Sequence, residues 1–87
     1  CPLNDGAAAV VVMSDTRAAE LGLKPLARTI SSGVSALNPE IMGLGPIEAI
    51  TQALGRANMS ISDIDLFEIN EAFAAQVLGS ADELGIP

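Results

Sequence analysis

Residues 7–13 are seven consecutive apolar side chains, with valine at 10, 11 and 12, set between Asn4-Asp5-Gly6 and Ser14-Asp15. Asn and Asp tolerate left-handed backbone and Gly adopts it freely, so the first flank reads as a turn. A short run that is apolar throughout, rather than alternating, reads as a strand covered on both faces. That is the pattern of parallel or mixed sheets in α/β proteins. Such a strand needs a layer above it and another below, and the rest of the chain must help supply them.

The remaining periodicities fit that demand. Ser14 or Asp15 can cap a short helix over residues 16–21, which Gly22 and Lys24-Pro25 end. In residues 26–35 the β-branched Thr29, Ile30 and Val34 favour a strand, and Ser31-Ser32-Gly33 suggests a bulge or its end. A loop through Asn38-Pro39 and Gly43-Leu44-Gly45 leads to Pro46, suited to the first helical position because it has no amide hydrogen to satisfy. Ile47, Ile50, Leu54 and Ala57 then form one helical stripe, with Glu48, Thr51, Gln52 and Arg56 elsewhere. After a polar connector, residues 66–69 read as a short strand ending at Asn70. Residues 71–84 read as a helix with Phe73, Val77, Ala81 and Leu84 on one face, stopped by Gly85 and Pro87. The order β-α-β-α-β-α predicts a layered α/β architecture.

Composition narrows the function. Eighty-seven residues make one small domain, 49% apolar but with Phe67 and Phe73 as the only aromatic rings. A chain of this size buries only about 60% of its unfolded surface, so its core is marginal standing alone. The formal charge is −7, and Arg17, Lys24, Arg28 and Arg56 are scattered, which argues against a nucleic-acid or anionic-membrane partner. One cysteine, Cys1, and no histidine exclude a disulfide framework, a Cys/His metal site and an imidazole triad within these residues. No apolar run reaches membrane-spanning length and no secretory leader pattern is present, so a cytoplasmic location is expected. The chain opens at Cys1 without Met and stops at Pro87, and it is read as part of a longer protein.

Three places depart from plain packing. Leu3-Asn4-Asp5-Gly6-Ala7 is a polar turn entering a buried run. In Met42-Gly43-Leu44-Gly45-Pro46 two glycines let the backbone approach another segment closely, but the third glycine of a dinucleotide fingerprint and the lysine of a phosphate loop are both missing. In Asn70-Glu71-Ala72-Phe73-Ala74-Ala75-Gln76 a carboxamide at a strand-to-helix junction can hold a water or a substrate carbonyl. On residue type alone the simpler reading of Asn70 is a helix N-cap, with Glu71 complementing the helix dipole. Met42 and Phe73 are core positions by default. Cys1, with no histidine or nearby cation to activate it, is assigned no role.

Taken together, and in this order and spacing, those three segments resemble the thiolases, the acetyl-CoA acetyltransferase family. The Asn-Glu-Ala-Phe-Ala element at 70–74 is the most specific of them, and the similarity spans essentially the whole chain. The resemblance implies a thiolase-like fold of two similar halves. Residues 1–23 would close the N-terminal half and residues 24–87 would open the C-terminal half.

It also implies an acyltransferase that cleaves a 3-ketoacyl-CoA with coenzyme A, or condenses two acetyl-CoA molecules, through an acyl-cysteine and without a metal or further cofactor. Asn70 would hold a water of the oxyanion hole and become catalytic rather than only a cap. Met42, Ala72 and Phe73 would line the acyl and pantetheine pocket. The family's nucleophilic cysteine, Gly-His-Pro histidine and second cysteine have no counterpart among these residues, and Cys1 matches neither cysteine. These residues by themselves are therefore expected to be inactive. The family assembles as homodimers or homotetramers. The alternative is a non-catalytic thiolase-like protein that binds acyl-CoA or lipid.

Overall fold

The computed structural model describes residues 3–87, so Cys1 lies outside the described residues. Three α-helices punctuate the chain: α1, Asp15–Glu20; α2, Gly45–Ala57; and α3, Ala74–Leu84. A 3-10 segment, Pro39–Leu44, runs directly into α2, and a second single 3-10 turn covers Ile61–Asp63.

The helix ends follow from local chemistry. Ser14 caps α1, its hydroxyl accepting from the Arg17 amide at 3.1 Å. All three helices close the same way. A residue in left-handed conformation follows the last turn, and the next amide reaches back five residues: Leu23 to the Ala18 carbonyl, Met59 to Leu54, and Ile86 to Ala81. The left-handed residues are Gly22, Asn58 and Gly85, at φ 66°, 53° and 67°. This Schellman closure satisfies otherwise orphaned carbonyls and places an apolar residue just beyond each helix. In α2 the expected stripe of Ile47, Ile50, Leu54 and Ala57 is half-buried, while Glu48, Thr51 and Arg56 are exposed.

The start of α3 differs from expectation. The helix begins at Ala74 with Phe73 in the cap position, not at residue 71, and the Asn70 side chain caps nothing. The reason is a tight turn. The Ala72 amide donates to the carbonyl of Asn70 itself at 3.0 Å, a three-residue turn that redirects the chain before the helix can nucleate.

Among the described residues no strand ladder forms, so residues 7–13, 26–35 and 66–69 are neither helical nor paired. Strand pairing is non-local, and no described segment lies alongside these three as a ladder partner. Residues 31–37 nonetheless keep the alternation of extended chain: Ser31, Gly33, Ser35 and Leu37 are half-buried, while Ser32, Val34 and Ala36 are exposed.

The inward set lies along α2. Ser31 donates to the Ala53 carbonyl at 2.7 Å, Gly33 presses on Ala49, and Ser35 donates to the Gly45 carbonyl at 2.6 Å. The two elements run antiparallel in matched register. Two residues of extended chain advance about 6.6 Å and four residues of helix about 6 Å, so every second side chain meets every fourth helical one. Arg56 ties the same edge by donating to the Ser32 carbonyl.

The molecule exposes far more surface than a self-contained domain of its mass. Its accessible area is 7400 Å², against roughly 4,800 Å² for a folded monomer of this size. Its radius of gyration is 16.1 Å, against about 12 Å. Among the described residues only Ala18 and Ser80 are buried.

Candidate active site

Among the described residues the 3-10 segment and α3 form the most extensive junction between helical elements, and Met42 and Phe73 belong to its two sides. The segment is kinked at Ile41, whose backbone leaves helical geometry at φ −122°. Past the kink, Gly43 and Leu44 lie on one face of α3. A Cβ on Gly43 would stand 3.7 Å from the Gln76 Cβ, and one on Gly79 would stand 3.5 Å from a Leu44 methyl. The Ser80 hydroxyl, fully buried, donates to the Gly43 carbonyl at 3.4 Å. Glycine at 43 and 79 lets the two backbones approach, and Ser80 joins them.

This junction floors a shallow depression lined by Glu40, Ile41, Gly43, Leu44, Phe73, Ala75 and Gln76. Phe73 lines it and is not core, the residue being 68% exposed. Met42 belongs to the same loop and is also 68% exposed, although it does not line the depression. Ala72 and Asn70 sit on the turn that precedes α3 and are exposed. Among the described residues the Asn70 carboxamide makes no hydrogen bond; only its backbone carbonyl is engaged, by Ala72. The structure therefore brings Phe73 to the loop of Met42 and leaves Asn70 and Ala72 on the preceding turn, outside the lining. A second, apolar cleft separates residues 64–69 from α3 and contains Phe67, Ile69, Val77 and Ala81.

Gln76, Gly79 and Ser80 were not among the candidate residues. Their spacing of three and four places them on one helical face, and a serine among apolar neighbours was the available signal. Among the described residues no cluster of His, Cys, Asp or Glu is grouped to hold a metal ion, and no helix is long and apolar enough to cross a membrane.

Residues 23–87 match the family described as "Thiolase, C-terminal domain". The chain belongs to the thiolase family. It is 57% identical over 84 residues to a 3-ketoacyl-CoA thiolase of Salmonella typhimurium, covering 97% of this chain and 22% of that protein. Among solved structures, the acetyl-CoA acetyltransferase of Bacillus anthracis superposes with a TM-score of 0.83 at 48% identity, covering 86% of this chain and 19% of that one. Human mitochondrial 3-ketoacyl-CoA thiolase in complex with CoA superposes with a TM-score of 0.81 at 41% identity, covering 84% and 18%. The thiolase chain described here thus shares the fold of those structures over most of its length. It spans about a fifth of the length of the curated relatives it matches.

Proposed function

We propose that this chain is one stretch of an acyltransferase that cleaves a 3-ketoacyl-CoA with coenzyme A, or condenses two acetyl-CoA molecules, through an acyl-cysteine supplied by another part of the polypeptide. The observation that carries the reading is the match of residues 23–87 to the thiolase C-terminal domain. In this reading residues 1–23 end the N-terminal half and residues 24–87 begin the C-terminal half. Segments 7–13, 26–35 and 66–69 are strands of a mixed sheet whose neighbours lie in the rest of the protein. Coenzyme A and acyl-CoA are substrates, and no metal or further cofactor is required. The whole protein is a cytoplasmic homodimer or homotetramer, and these residues alone are inactive.

Asn70 is the catalytic member of the set. An amide with no hydrogen-bond partner among the described residues, placed on an exposed turn, can hold a water against the oxyanion of an acyl-CoA enolate. A donor fixed in advance stabilises charge that develops only in the transition state, and that difference is what accelerates the reaction. What supports this role is that among the described residues the carboxamide has no structural duty: it neither caps α3 nor hydrogen-bonds a neighbour. Met42, Ala72 and Phe73 bind substrate around the acyl and pantetheine groups.

The test is turnover of acetoacetyl-CoA and of a longer 3-ketoacyl-CoA with coenzyme A by the complete protein, repeated with Asn70→Ala. The variant is expected to lose about 10²- to 10³-fold in kcat while its melting transition stays within about 0.5 kcal/mol of wild type. Unchanged turnover removes Asn70 from the mechanism. Tight acyl-CoA binding by a wild-type protein that turns over neither substrate points instead to a non-catalytic binding protein.

A further inference from the structure

Ser80 is the only polar residue buried among the described residues, at 0% exposure, and its hydroxyl crosses 37 positions of chain to the Gly43 carbonyl. A serine inside a helix commonly turns its hydroxyl back to the carbonyl one turn earlier. Here it leaves the helix and engages the loop. One helical turn before it, the Gln76 side chain lies beneath Gly43, and the intervening Gly79 faces Leu44. The face formed by Gln76, Gly79 and Ser80 is thus a seat for the loop that carries Met42. Phe73, which also lines the depression, occupies the cap position of the same helix. Any change in the height of the loop over this face alters its position relative to Phe73. No side chain at 43 or 79 intervenes to absorb a larger group at 80.

We infer that Ser80 is a positioning residue that sets the space between the Met42 loop and Phe73, and with it the length of acyl chain the thiolase accepts. The inference rests on the acyltransferase reading above. Ser80 touches no substrate; it acts through Gly43.

The experiment compares the complete wild-type protein with Ser80→Ala, Ser80→Thr and Ser80→Ile. It measures kcat and KM for acetoacetyl-CoA and for a longer 3-ketoacyl-CoA. Ser80→Ile, which must lift the loop, is expected to change the long-to-short ratio of kcat/KM by about tenfold, the scale of a methylene-sized change in an apolar pocket. The change should appear mainly in KM, since the reacting carbons lie elsewhere. Ser80→Ala, which removes only the hydrogen bond, should shift the ratio by about two- to fivefold, and Ser80→Thr, which keeps the hydroxyl but adds a methyl at a filled position, should fall between Ser80→Ala and Ser80→Ile.

A ratio unchanged in Ser80→Ala and Ser80→Ile, with only a lowered Tm, overturns the inference and leaves Ser80 as packing. If Ser80→Ile does not fold, an unchanged ratio in Ser80→Ala overturns it alone. Wild-type protein that turns over neither substrate defeats the acyltransferase reading itself, a result distinct from an active enzyme with an unmoved ratio.

Discussion

Gly33 has no room for a side chain, because the carbonyl of Ala49 on α2 occupies the place its Cβ would take. The flanking hydroxyls of Ser31 and Ser35 fasten the same segment to Ala53 and Gly45, so three residues at a spacing of two meet three helical residues at a spacing of four. The 31–37 segment and α2 are thereby one unit, and α2 is the continuation of the loop that carries Met42.

Gly33→Ala should therefore destabilise the complete protein by about 1–3 kcal/mol, the usual cost of forcing atoms into a filled contact. Gly55→Ala is the control. That glycine lies within α2 with nothing near its Cβ position, and the change should stabilise by roughly 0.5–1 kcal/mol through helix propensity. Denaturant unfolding of both variants measures this. Equal effects of the same sign would show that the segment does not bear on α2.

Asn58 is the only described non-glycine residue with positive φ. Asn58→Gly should leave stability unchanged or slightly raised, because the left-handed conformation carries no Cβ penalty in glycine. Asn58→Val should lose about 1–2 kcal/mol. Thermal melts of the two variants read the difference, and a harmless valine would mean that the end of α2 is free to rearrange.

What the sequence could show divides along local and non-local lines. The Ser14 cap, the glycines at 22 and 85 and the stripe of α2 depend on neighbours within one or two turns, and each is legible from residue type and spacing. The seat of Gly33 on Ala49 is not, since it depends on residues sixteen positions apart, and Ser31-Ser32-Gly33 by itself reads as a bulge or strand end. Strands at 7–13, 26–35 and 66–69 are expected from composition, but a ladder needs a partner that no local pattern identifies. At Asn70 residue type pointed the wrong way for local structure: asparagine is a good cap, yet the turn at Ala72 places the helix start three residues later than such a cap would. The Asn-Glu-Ala-Phe-Ala motif marked the family here, where propensity marked only a cap.

Asp63 closes the turn Ile61–Asp63 by accepting from both the amide and the hydroxyl of Ser60, each at 2.8 Å. Those bonds favour the carboxylate and hold its pKa below the usual range, the backbone bond contributing most. A group whose folded pKa is lowered stabilises the fold above its unfolded pKa and loses that contribution as pH falls through the folded value. The turn at Ser60 should therefore be intact at neutral pH and open only as the pH falls through the lowered folded value, below the ordinary aspartate range. NMR titration of the Asp63 carboxyl in the complete protein should give a midpoint below that of Asp63 in a short peptide of the same sequence. Coincident midpoints would show that Ser60 does not engage it.

Val10, Val11 and Val12 expose 85%, 84% and 86% of their surface, and the segment they occupy has no ladder partner among the described residues. Burying one such side chain is worth roughly 1.5–3 kcal/mol, so in water the segment is driven to find cover. An open, β-branched strand with free amides on both edges is a template for pairing between copies. The interior available to oppose this is small, since only Ala18 and Ser80 are buried among the described residues. The 87-residue polypeptide, produced by itself, should therefore melt without a cooperative transition by circular dichroism and associate with rising concentration in sedimentation velocity. Val11→Lys should suppress the association without creating a transition, because a charge blocks edge pairing but adds no core. A sharp, concentration-independent melt of a monomer would show that these residues bury a sufficient core of their own, and would remove the need for neighbouring strands on which the layered arrangement depends.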